Sequence, residues 1–110
     1  MEERIELSKE ALADLATQAA MGVSGVAGCL QSPVDTLTSR IKREFTHHGV
    51  KVEEEDGAYS FKIHIAVCFG DSIPRIAAET RSRVKEYVEA TAGVVVAGVE
   101  VIVEDVELPT

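Results

Sequence analysis

Thiol chemistry is the first possibility that the residue types raise, because the sequence contains two cysteines, Cys29 and Cys68. They lie far apart in the chain and form no CxxC pair. A reactive cysteine needs a nearby cation or helix N-terminus to stabilise its thiolate. Cys68 lies four residues before Ser72, a predicted helix start, but nothing in the sequence shows that its side chain faces that helix. We therefore expect two reduced, partly buried thiols, with a redox pair or an oxidisable thiol as the alternative.

Metal binding by histidine is the second possibility. His47 and His48 directly precede Gly49, and this order is typical of the exposed end of a helix, where a protonated imidazole meets the negative end of the helix dipole. His64 stands alone in an apolar segment. None of the three has neighbours at the spacing of metal ligands, so the sequence predicts no metal site and no cofactor.

Carboxylate chemistry is the third possibility, because four consecutive acidic residues, Glu53 to Asp56, precede Gly57. They lack the alternating ligands and closing glutamate of a calcium loop. Asp-Gly between two strand patterns instead predicts a solvated hairpin turn. General acid–base catalysis would need these carboxylates within hydrogen-bond reach of His64 or Cys68, and the predicted turn lies several residues from His64. The sequence therefore predicts no catalytic residues and a protein that is not an enzyme.

A glycine-rich segment from Gly22 to Gly28 resembles a phosphate-binding loop in composition only. It lacks the Lys-Ser/Thr ending of such a loop and the strand–loop–helix order of a pyrophosphate site. We interpret it as a tight bend that enters a short strand.

The elements that position these groups follow from the hydrophobic pattern. A helix from Ser32-Pro33 to about Gly49 is predicted by apolar residues at spacings of three and four, ending with Phe45. This helix carries the densest basic group of the chain, Arg40, Lys42 and Arg43. The group is either a solvated helix face or a docking patch for an acidic partner, and it is our candidate partner-binding site.

The rest of the chain alternates strands and helices. A strand around Ile5 and Leu7, a helix from Ser8 to Met21, a hairpin on either side of Asp56-Gly57, a helix from Ser72 to Gly93 and a final strand from Val94 are predicted. The clearest strand alternates five large apolar residues: Phe61, Ile63, Ile65, Val67 and Phe69. The order is β-α-β-α-β-β-α-β. We expect a small α+β domain whose mixed sheet carries its helices mainly on one face.

Composition limits the classes of function. The 110 residues suit one domain spanning 1–110, with 45% hydrophobic and 27% charged residues. A formal net charge of −8 opposes non-specific nucleic-acid binding and adsorption to anionic lipid. No apolar run approaches the roughly 20 residues that span a bilayer. The acidic N-terminus does not read as a signal peptide, so we expect a cytoplasmic protein with no direct membrane insertion.

Taken in order, several short segments resemble the alkaline-shock protein family of Gram-positive bacteria over about residues 5–107. These segments are Ile5 to Ser8, Gly22 to Gly28, Gly49 to Val52, Phe69 to Pro74, Val84 to Glu89, Thr91 to Gly93 and Val99 to Val103. Phe69 occupies a place where the family often has tyrosine. Each segment is weak evidence alone, and their order and spacing carry the resemblance.

The resemblance implies a non-enzymatic cytoplasmic adaptor or scaffold in cell-envelope stress response or homeostasis. It also implies membrane association through a separate membrane-anchored protein, and it supplies no catalytic residues. The alternative is a regulator of a lipid-synthesis enzyme such as acetyl-CoA carboxylase. A homo-oligomer is a further alternative, because an exposed final strand can pair with the same strand of a second copy.

Overall fold

The computed structural model describes residues 7–29, 45–47 and 49–108. Two helices and five strands fall within these ranges: α1 (Lys9–Met21), β1 (Val26–Cys29), β2 (Phe45–His47), β3 (Val50–Glu55), β4 (Ala58–Cys68), α2 (Ile73–Ala92) and β5 (Val95–Glu107). The predicted strand residue Ile5 and the predicted helix between Ser32 and Arg43 lie outside the described residues.

Both helices begin and end where their capping residues predict. The Ser8 hydroxyl accepts a hydrogen bond from the Ala11 amide at 3.0 Å, and the Ser72 hydroxyl accepts one from the Arg75 amide at 3.4 Å. Each satisfies an amide that the first helical turn leaves without a backbone partner. Gly93 ends α2 in the left-handed conformation, with its amide bonded to the Glu89 carbonyl.

The sheet is organised around β4. Strand β5 runs parallel to β4 from Ala58 to Cys68. Strand β3 pairs antiparallel with Ala58 to Ile63, and β1 pairs antiparallel with Ile65 to Val67. Because β5 follows the whole length of β4 on one side, β3 and β1 share the other side, one after the other. Strand β2 extends the sheet beyond β3, so the predicted mixed sheet of an α+β domain is confirmed.

The hairpin predicted at Asp56-Gly57 is confirmed, since both residues have positive φ, at 51° and 82°, between β3 and β4.

The helix predicted to run through Phe45 to His47 is wrong at this end, because these residues form β2. Phe45 pairs with Val52 and His47 pairs with Val50, so β2 and β3 are antiparallel neighbours. Gly49, interpreted as a helix terminator, has a φ of 80° and lies between the two strands. A glycine with positive φ ends a helix or turns a hairpin equally well, and pairing with β3 decides between them. His48 lies outside the described residues.

One face of the sheet, called the first face, packs against both helices. The apolar alternation of β4 continues across the register, because Phe61 lies between Val52 and Val99. The fully buried members of the core are Leu12, Ala13, Ala16, Ala20, Val50, Val52, Ile63, Ile65, Val67, Ile76, Val84 and Val88. The alanines of α1 bury small side chains, which lets the backbones of α1 and the sheet approach closely.

The loop after α1 packs closely against α2 at Gly25. Gly25 has a φ of 101°, and a Cβ at this position would lie 2.6 Å from Cδ1 and 2.8 Å from Cγ1 of Ile76 in α2. The carbonyl of Gly25 accepts a hydrogen bond from the Cys68 amide at 2.8 Å. This glycine therefore joins α1, the end of β4 and the buried side of α2.

We expect Gly25→Ala to lower the free energy of unfolding by about 2–4 kcal/mol, because it combines positive-φ strain with overpacking against Ile76. Gly28→Ala is the matched control, since among the described residues no heavy atom lies within 4 Å of its Cβ position. We expect the control to change the free energy by about 0.5 kcal/mol or less. Urea unfolding followed by circular dichroism measures both. Equal losses for the two variants would contradict the assigned packing.

Candidate functional site

The other face of the sheet, called the second face, carries the polar side chains of three adjacent strands. Alternation along each strand and the strand register place them there. They are Lys51 and Glu53 on β3, Ser60, Lys62 and His64 on β4, and Glu100 on β5. The sequence predicts a mixed and partly exposed second face. Glu53 and Glu100 are exposed as expected, whereas Lys51 and His64 are buried.

His64 and Glu104 form a close polar contact across this face. Nδ1 of His64 lies 2.6 Å from Oε1 of Glu104. His64 is buried, with 5% of its surface exposed. In the register, Ile65 pairs with Val103 and Ala66 pairs with Asp105, so Glu104 is the extra residue of a bulge. A bulge redirects the side chain of its extra residue. Here it directs the carboxylate of Glu104 to His64 and links β5 to β4.

Sequence reasoning missed this pair. The alternation places each of His64 and Glu104 on the more polar face of its own strand. Because 40 positions separate them in the chain, no local pattern shows that they meet. The parallel register and its bulge bring them together, and neither is visible in a local pattern. The only available signal was an isolated histidine in an apolar strand, which needs a polar partner when buried.

A groove of about 470 Å³ lies on the second face, across β3, β4 and β5. Its lining residues are Lys51, Glu53, Ser60, Phe61, Lys62, Gly98, Val99 and Glu100. Lys62 lies opposite Lys51 on one side and opposite Glu100 on the other. Like charges opposite each other destabilise a sheet, and a carboxylate on the neighbouring strand offsets that repulsion. The groove therefore offers ammonium and carboxylate groups together.

The chemically capable groups named from the sequence do not converge. Glu53 pairs with Ser60, four residues before His64, which is about 13 Å along the strand. General acid–base catalysis needs hydrogen-bond distances. Within residues 7–29, 45–47 and 49–108, no group of three or more histidine, cysteine or acidic side chains could hold a metal ion.

The two cysteines lie at different ends of the ladder between β1 and β4. Cys29 pairs with Ile65, three residues before Cys68, which is about 10 Å along the strand. A disulfide requires Cα atoms within about 7 Å, so this fold does not join them. Cys68 is exposed, and the expectation of a partly buried thiol is wrong there because β4 ends at this residue.

The basic group proposed as a partner-binding site, Arg40, Lys42 and Arg43, lies outside the described residues and stays a prediction.

A second surface lies where β4 and β5 end. Phe69 is 63% exposed, Leu108 is 69% exposed and Val106 is 36% exposed. The Phe69 amide donates a hydrogen bond to the Glu107 carbonyl at 2.8 Å, so the two chain segments lie side by side. We call Phe69, Val106 and Leu108 the end patch. The alternation places Phe69 in the apolar row of β4, but the strand stops one residue earlier, at Cys68, and Phe69 is exposed.

These features define a small α+β domain with a mixed sheet, two described helices on the first face and a charged groove on the second. Among the described residues, neither helix is long and apolar enough to span a membrane. Two solved structures of single-histidine variants of MamM-CTD share the fold, each with a TM-score of 0.58 over 91% of this chain and 100% of theirs. Their sequence identities are 18% and 17%, so the likeness concerns the fold alone.

The chain belongs to the alkaline-shock protein 23 family, whose model matches residues 1–108 and is described by a cell envelope-related function. A curated relative, the uncharacterized protein YloU of Bacillus subtilis (strain 168), is 29% identical over 107 residues. The match covers 96% of this chain and 89% of that relative. The resemblance found in the sequence is confirmed.

We expect Glu104→Ala to lower the free energy of unfolding by about 1–3 kcal/mol, because it leaves Nδ1 of the buried His64 without the Glu104 carboxylate. Glu104→Gln keeps an oxygen acceptor, and we expect a smaller loss. Glu107→Ala removes the same charge from an exposed position of the same strand and serves as the control. Chemical unfolding measures all three. A loss for Glu107→Ala as large as for Glu104→Ala would show that the effect comes from net charge.

Proposed function

We propose that this protein is a non-enzymatic adaptor in cell-envelope homeostasis that acts by binding other proteins. The family match over residues 1–108 supports the envelope connection. The end patch carries the proposal of protein binding. Exposed apolar residues are ordinary when they are scattered singly, whereas neighbouring ones mark interaction surfaces. Phe69, Val106 and Leu108 are neighbours on adjoining chain segments.

The arrangement of the second face supports binding rather than turnover. His64 contacts Glu104 across the strands, and Lys62 lies between Lys51 and Glu100 in the register. Groups held in such pairs stabilise the sheet and present a charged surface. A protein partner with charges of both signs matches the groove that they line.

An adaptor needs a second contact, and the basic group Arg40, Lys42 and Arg43 is our candidate for it. Three cations within four positions match an acidic segment of a partner. We propose that this partner is membrane-anchored and that it brings a cytoplasmic protein to the envelope.

The test combines cell fractionation with affinity capture of a tagged chain in its native cell. We expect the protein in the membrane fraction together with a membrane-anchored protein. The variant carrying Arg40→Glu, Lys42→Glu and Arg43→Glu is expected to move to the soluble fraction. The matched control carries Arg81→Glu, Arg83→Glu and Lys85→Glu, three exposed positions of α2 with the same total charge change.

Equal membrane association of the two triple variants would reject the basic group as the docking site. Recovery of wild-type protein with a soluble lipid-synthesis enzyme, and with no membrane protein, would overturn the adaptor proposal. A change in acetyl-CoA carboxylase activity on adding the pure protein would then support the regulatory alternative.

A further inference from the structure

We infer that the end patch binds a protein segment in which bulky apolar side chains are flanked by lysine or arginine. This inference rests on the proposed adaptor function and specifies the chemistry of one partner. Three observations carry it: the position of the patch relative to the core, the sign of the charges around it and the use of a backbone amide within it.

The end patch continues a core row into solvent. Val67 is fully buried and pairs with Val106, the next residue of that row on β5. Beyond this pair the two strands end together, because Cys68, the last residue of β4, pairs with Glu107, the last residue of β5. Helix α2 begins only at Ile73, so Phe69 and Leu108 protrude beyond the pair as exposed side chains. An apolar side chain of a partner can therefore continue the packing of the domain core.

The charged residues in the two segments that carry the patch are all acidic. Segments 69–74 and 104–108 contain Asp71, Glu104, Asp105 and Glu107 and no lysine or arginine. The nearest cation along the chain is Arg75, which contacts Glu79 at 3.0 Å and Asp71 at 4.0 Å. A partner with lysine or arginine beside its apolar residues gains electrostatic complementarity at this rim.

The same charges disfavour a second copy of the chain as the occupant. A symmetric dimer contact uses the same surface on both subunits, so it would set one acidic rim against another. The net charge of −8 adds to that repulsion. Anionic lipid is disfavoured for the same reason. The observations therefore favour a basic and apolar segment of a different protein.

The partner's contact at this point is made with side chains. The Val106 amide already donates a hydrogen bond to Oδ1 of Asp105 at 2.9 Å. An added β-strand would need free backbone donors along its neighbour. Because the Val106 amide is already bonded, the partner is recognised by the exposed apolar side chains of the patch and by the acidic residues around them.

The test uses the full chain and two synthetic fluorescent peptides. One is an amphipathic peptide of leucine, phenylalanine and lysine, and the other carries glutamate in place of every lysine. We expect the lysine peptide to bind, to bind more weakly as salt rises, and the glutamate peptide to bind at least about tenfold more weakly. Fluorescence anisotropy measures the dissociation constants.

Leu108→Ser and Phe69→Ser remove exposed side chains of the patch, and each is expected to weaken binding of the lysine peptide about tenfold. Val95→Ser is the matched control, because Val95 is 62% exposed at the opposite end of β5. We expect the control to bind like the wild type. Circular dichroism of each variant verifies that the fold persists.

Equal binding of the two peptides, or equal loss for Val95→Ser and Leu108→Ser, would overturn the inference. A concentration-dependent dimer that Phe69→Ser abolishes would also overturn it and identify a second copy as the occupant. Peptide binding is measured on purified protein, whereas the adaptor proposal is tested by fractionation of cells. A failure of one is therefore distinguishable from a failure of the other.

Discussion

The structure depends on the burial of one strand, β4, between neighbours on both sides and helices above it. Ile63, Ile65 and Val67 are fully buried and alternate with the side chains of the second face. Burying each such side chain contributes about 1.5–3 kcal/mol, so a shift of this strand by one residue would expose the whole row. This cost sets the register of every strand that pairs with β4 among the described residues.

The positions of the groove and the end patch follow from the register of β4 and from where this strand ends. Within β4, alternation sends His64 and Lys62 to the second face, where β3 and β5 supply charged neighbours. At its end, β4 stops at Cys68, which pairs with Glu107, the last residue of β5. Phe69 and Leu108 directly follow the two paired strand ends and are exposed. The groove and the end patch are thus both consequences of one strand's register and length.

Two side-chain contacts lie near the two bulges of β5. The bulge opposite Ile65 and Ala66 releases Glu104 from the ladder, and its carboxylate contacts His64. At the start of β5, Oε2 of Glu89 in α2 accepts a hydrogen bond from the Val96 amide at 3.2 Å. Side-chain acceptors of this kind satisfy groups that an irregular ladder leaves exposed.

The sequence by itself determined the local elements, because their signals are local. Ser8 and Ser72 cap helices, Asp56-Gly57 turns a hairpin, and the period of two in β4 identifies the core face. Tertiary structure alone decided the exposure of Phe69, the strand at Phe45 to His47 and the contact between His64 and Glu104. Each of these depends on pairing between segments distant in the chain or on where a neighbouring element ends. A local pattern specifies which way a side chain alternates, whereas register, bulges and packing specify what it meets.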